Sequence, residues 1–118
     1  MLKSKSPEQI ADPVAISPQT SQDYARRAWL FYGRQDLPHA EQDFRRALDL
    51  DSQDVDSLSG LGLTLAAAGK LPEAVQVFEQ AVQLAAGLKD AVRGLMLKRL
   101  LNGHINRIRT GQWNLDKA

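Results

Sequence analysis

The segment LPHAEQDFRRALDL begins at Leu37 and LPEAVQVFEQAVQL begins at Leu71, 34 residues later, with seven of fourteen positions identical. Such internal repetition constrains a chain more than local propensity does. Each copy is one supersecondary unit that cannot bury its apolar face alone, so the copies must stack. Within the first copy Ala40, Phe44, Ala47 and Leu48 fall on one stripe at helical spacing, and Glu41, Asp43, Arg45 and Arg46 are expected to face water. The second copy presents Ala74, Val77, Phe78, Ala81 and Val82 in the same way.

Each of these helices has a helical partner before it. Tyr24, Ala28, Phe31 and Tyr32 recur at spacings of three and four, with Ser17-Pro18 as the expected helix start. Leu58, Leu61, Leu65 and Ala66 form the stripe of a third helix capped by Asp54 or Asp56. Gly33 to Pro38, DSQD (51–54), AGKLP (68–72) and AAGLKD (85–90) are turns, all short enough to make consecutive helices antiparallel. Leu97, Leu101, Ile105 and Ile108 keep one phase through Gly103, which predicts a single last helix from about residue 89 to 109. Pro7 and Pro13 mark residues 1–16 as a flexible leader, residues 17–109 as the helical domain and 110–118 as a tail. Trp113 and Leu115 in that tail either fold back on the last helix, the favoured expectation, or dock elsewhere.

The pattern resembles the tetratricopeptide repeat. Unit two reads Leu58-x2-Leu61-Gly62-x2-Leu65, then Ala74-x3-Phe78, then Ala81. Unit one is looser: Tyr24-x2-Arg27-Ala28-x2-Phe31, then Ala40-x3-Phe44 and Ala47. Lys89 onward continues in register as the first helix of a third unit, and Ser52 and Ala86 stand where the closing proline is usual. The resemblance covers roughly residues 21–103. It implies an all-α, right-handed superhelical array of helix–turn–helix repeats: two units plus a C-terminal capping helix. It also implies a concave groove lined by the first helix of each unit, here Arg26, Trp29 and Tyr32, then Ser59, Leu63 and Ala66, then Arg93 and Leu97. Members that clamp acidic chaperone tails carry Lys, Asn and Arg on these faces. Ala25, Trp29, Gly60, Asp90 and Gly94 occupy the matching positions here, so that clamp is missing.

Chemistry finds little support. Cysteine is absent, which removes thiolate nucleophiles and Cys-based metal sites and is compatible with a reducing cytoplasm. His39 and His104 are far apart, and no Walker, H-E-x-x-H, G-x-S-x-G or G-x-G-x-x-G motif occurs. The Gly60-Leu61-Gly62 triplet reads as close helix packing rather than a phosphate loop, and Asp49, Asp51, Asp54 and Asp56 read as a solvated turn without a calcium loop's glycine. No enzyme, cofactor or metal is expected. No apolar run approaches the ~18 residues of a membrane span, and no secretory signal is expected in the N-terminal residues. Residues 1–88 carry 8 basic and 12 acidic side chains, while 89–118 carry 7 basic and 2 acidic, so the ends differ by sign. The expected function is a non-enzymatic, cytoplasmic adaptor, chaperone or assembly factor that binds a partner's extended peptide or helix. The alternatives are electrostatic binding of nucleic acid or an acidic surface through the basic C-terminal third, and self-association as a homo-oligomer. Nucleic acid is not the favoured partner, because the basic pairs lack interleaved aromatics.

Overall fold

A computed structural model describes residues 12–112. A 3-10 turn at Pro13–Ala15 precedes α1 (Ser21–Gly33), α2 (Leu37–Leu50), α3 (Val55–Ala67), α4 (Leu71–Ala86) and α5 (Ala91–Thr110). No strand occurs among the described residues, and successive helices pack on one another in chain order, with α1 also touching α3. The fold is an all-α helical repeat: α1–α2 is one unit, α3–α4 the next, and α5 closes the described stack.

Local chemistry accounts for the boundaries. Pro38 and Pro72 lie in the first turns of α2 and α4, where the donor that proline lacks has no intrahelical partner to lose. Asp54 caps α3, accepting from the Asp56 amide at 3.1 Å and the Ser57 hydroxyl at 2.7 Å. Asp90 caps α5 through the Arg93 amide at 3.0 Å, and Gly111 ends it in the left-handed region at φ 78°. The start of α1 differs from expectation: Thr20 is the cap, not Ser17. Thr20 and Asp23 form a reciprocal capping box, the Thr20 hydroxyl accepting from the Asp23 amide at 3.1 Å while the Asp23 carboxylate takes the backbone amides of Gln19 and Thr20. The first of these backbone bonds is the main cause holding the Asp23 carboxyl below its ordinary range. Residues 12–16, expected to be leader, are attached instead: Pro13 is buried, and Arg27 donates to the Ile16 carbonyl at 3.4 Å. Trp113, Leu115 and residues 1–11 lie outside the described residues.

The last helix runs unbroken through Gly103. That residue stands one period after Gly69, which turns the chain at φ 81°. The difference lies three residues on, where Pro38 and Pro72 are followed, another period later, by Asn106. Without the proline nothing forces a new helix, so α5 continues straight where the earlier units double back.

Packing centres on α3. Gly60 lies under the ring of Phe44 from α2, and Gly62 under the ring of Phe78 from α4; a Cβ at either position would overlap the ring. Leu58, Leu61 and Leu65 fill the remaining contact with Ala28, Ala40, Ala74 and Ala81, all buried. The alternation of small and large side chains lets the helices approach at native density. Two buried hydroxyls stay satisfied inside the helix, Thr64 bonding the Gly60 carbonyl at 2.8 Å and Ser57 bonding Asp54.

One expectation is overturned at Asp43. It does not face water: it is only 3% exposed and holds Arg27 of α1 in a two-pronged ion pair at 2.6 and 2.9 Å. The carboxylate holds the Arg27 guanidinium above its ordinary value, chiefly through these hydrogen bonds. Arg27 sits where the repeat pattern has Leu61 in the next unit, so unit one joins its two helices by charge where unit two uses apolar contact.

The glycine seats generate a test. Gly60→Ala and Gly62→Ala each gain ~1 kcal/mol of helix propensity but force a methyl into a filled ring, which costs about 1–3 kcal/mol. Both are expected to lower stability in urea unfolding. Gly33→Ala, where an added Cβ meets nothing within 4 Å, is expected not to. A stabilised Gly62→Ala chain would contradict the packing described.

Candidate functional site

Because α5 fails to turn at Gly103, its second half continues past the end of α3 and walls off a concave space. The result is a cavity of about 420 Å³, lined by Tyr32 from the last turn of α1, Leu63, Ala66 and Ala67 from α3, Leu71 and Phe78 from α4, and His104, Arg107 and Ile108 from α5. Ala66 and Ala67 contribute small side chains to this lining, and Tyr32 and Ile108 larger ones. His104 stacks on Phe78 with ring centroids 5.2 Å apart and planes 7° apart, so the imidazole faces the same ring that seats on Gly62.

The electrostatics of this space are simple. Burial is the larger cause, and the Arg107 guanidinium the second, that push the His104 imidazole below its ordinary value. With the imidazole held toward its neutral form, Arg107 is the one cationic side chain in a lining that mixes polar and apolar groups. Among the described residues no group of His, Asp and Glu could hold a metal ion.

Only some of the residues expected in a groove meet here. Tyr32, Leu63 and Ala66 line the cavity together. Arg26 is exposed and pairs with Asp23 at 3.6 Å, outside that lining. Trp29 is 37% exposed and stands edge-on against Phe44 at 5.0 Å and Tyr32 at 5.8 Å, bracing the ring seated on Gly60. The Ser59 hydroxyl bonds the Val55 carbonyl of its own helix at 2.8 Å. Arg93 reaches Asp56 at 3.3 Å and, with Leu97, borders a second depression on α5 that also includes Val92, Met96 and Leu100. Leu71, His104, Arg107 and Ile108 were not anticipated. The absent proline at position 106 was the available signal for the last three, since it carries α5 into a place where a repeat would turn away.

Residues 55–86, which are α3 and α4 from end to end, match the family model of the tetratricopeptide repeat. The second unit is a tetratricopeptide repeat. The repeat supports a protein–protein interaction module. A stretch of 73 residues, 62% of this chain, is 34% identical to cellulose synthase operon protein C of Komagataeibacter xylinus, and it spans 6% of that protein's length. No helix among the described residues is long and apolar enough to cross a membrane.

The half-buried His104 gives the chain a pH signature. Its folded pKa lies below the ordinary 6.5. The unfolded chain therefore takes up the proton first, and the stability linked to neutral His104 is complete above about pH 6.5 and lost as pH falls through the folded value. In thermal melts, the wild-type melting temperature is expected to fall more steeply below about pH 6.5 than that of His104→Phe, which keeps the stacked ring without the titration. Parallel curves would assign the acid sensitivity to other groups.

Proposed function

We propose that this chain is a cytoplasmic, non-enzymatic adaptor or assembly factor whose tetratricopeptide unit takes an apolar segment of a protein partner in the cavity between Tyr32 and Ile108. The single observation that carries this reading is the lining of that space: small Ala66 and Ala67, the larger apolar Leu63, Leu71, Phe78 and Ile108, and one cation, Arg107, beside the polar Tyr32 and His104. A short helix or an extended peptide places alternate or i, i+4 side chains into such a groove, and a carboxylate on that segment would meet Arg107. The one perturbed imidazole stacks on Phe78 and lies near the Arg107 cation, a setting that supports packing rather than catalysis.

The basic C-terminal third gains no support as a nucleic-acid site. Arg93 and Arg109 are engaged with Asp56 and Glu79 at 3.3 and 3.2 Å, and no aromatic ring contact with either is found among the described residues.

Ala67 is exposed and lines the cavity, so Ala67→Arg is expected to fill the space while leaving the melting temperature within a few degrees of wild type. Capture of partners by the tagged chain from native extract is then expected to fall at least tenfold for the proteins it recovers. An undiminished set of captured proteins would remove the cavity from the binding surface.

A further inference from the structure

Gly60 and Gly62 in α3, and Gly94 and Gly103 in α5, stand away from the ends of their helices. Glycine inside a helix is unfavourable relative to alanine, so each position calls for a reason in close packing. Three have one: an added Cβ would overlap the Phe44 ring at Gly60, the Phe78 ring at Gly62 and the Ala85 carbonyl at Gly94. Gly103 is buried too, but on the other side of its helix. It is two residues from both Leu101 and Ile105, about 200° around the axis. Those two side chains join the core on the side where α5 packs against α4. Packing against α4 therefore does not account for the burial of Gly103.

The chain itself comes back to that side. Gly111 ends α5 in the left-handed region at φ 78°, and the backbone reverses there. The Asn106 side-chain amide donates to the Gln112 carbonyl at 3.1 Å. The Thr110 hydroxyl donates to the Asn106 carbonyl at 2.8 Å and accepts from the Gln112 amide at 3.2 Å. Asn106 lies three residues from Gly103, one turn along the same face. The described residues end at Gln112, and the next side chain is Trp113. We propose that the Trp113 indole seats on Gly103, as Phe44 seats on Gly60 and Phe78 on Gly62, so that the chain's own C-terminal segment covers the second half of α5. The bond from Asn106 selects this occupant, because it fixes residue 112 one turn from the seat. Leu100, 48% exposed and one turn to the other side of Gly103, gives the ring an apolar edge. The N-terminal segment is attached at the opposite end of the stack, where Asp12 pairs with Arg34 at 4.0 Å and the 3-10 turn packs on α1. The second half of α5 is then held between α4 and the tail. His104, Arg107 and Ile108 belong to that half, so the tail steadies their side of the cavity whether or not the cavity takes a partner.

The test uses the full chain with Trp29→Phe, which leaves Trp113 as the sole tryptophan and keeps a ring against Phe44. The acrylamide quenching constant of Trp113 is expected to be at least threefold lower in buffer than in urea. Gly103→Val fills the seat, and it is expected to bring the constant in buffer to at least half the urea value while circular dichroism shows the helices intact. A thermal series serves if the valine variant does not fold. Gly103→Ala is expected to lower the melting temperature of the wild type, whose ring it displaces. In a Trp113→Ala chain the same change is expected to raise it, because only the gain in helix propensity remains. Equal quenching in buffer and in urea would overturn the proposal. Protection that survives Gly103→Val in a folded chain would do so as well, by placing the indole elsewhere. A Gly103→Ala effect of one sign in both backgrounds would contradict it, and protection lost on dilution would assign the seat to the tail of a second copy.

Discussion

Two phenylalanine rings pressed onto two glycines of one helix hold this structure together. Gly60 and Gly62 are two residues apart, about 200° around the helix, so they open on nearly opposite sides of α3. Phe44 of the preceding unit enters one side and Phe78 of the same unit enters the other. The helix is thereby gripped between its neighbours, which is why it is the most thoroughly buried of the five and why its polar Ser57 and Thr64 bond within it. Trp29 braces the first ring edge-on, and His104 stacks on the second. The residues around the cavity are thus arranged by the same contacts that set the distance between helices.

The cavity follows from where the repeat stops repeating. In units one and two a turn and a proline return the chain, and the second helix covers the first. In the third unit Gly103 is present but the proline is replaced by Asn106, so α5 stays straight. That single departure has two results. The second half of α5 brings His104, Arg107 and Ile108 over the end of α3 and closes one side of a cavity. The first half keeps an apolar face that no later helix of the described residues covers.

Much of this was legible in the residues. The 34-residue period predicted the helix pairs, Leu37-Pro38 and Leu71-Pro72 marked two helix starts, and the unbroken stripe from Leu97 to Ile108 predicted one long final helix. Charge pairing was less visible. Asp43 belongs by periodicity to the solvent side, and only the position of Arg27 on the other helix of the same unit explains its burial. The Thr20–Asp23 box was hidden by the more conspicuous Ser17-Pro18, although Thr-x-x-Asp is itself a capping signal. Groove residues transferred from the repeat pattern share the first helices of the units but scatter in space: Tyr32, Leu63 and Ala66 meet, whereas Arg93 and Leu97 lie along a different depression. A linear pattern assigns residues to a helix face, and the path of α5 decides which of those faces converge.

The central claim is that Phe78 and Gly62 are energetically one contact, and a double-mutant cycle measures that directly. Gly62→Ala, Phe78→Leu and the combined variant would be compared with the wild type by urea unfolding monitored by circular dichroism. The smaller leucine makes room for the added methyl, so the pair is expected to lose less than the sum of its parts, with a coupling of about 1 kcal/mol or more. Additivity within about 0.3 kcal/mol would mean that the ring does not depend on the glycine beneath it, and would contradict the account.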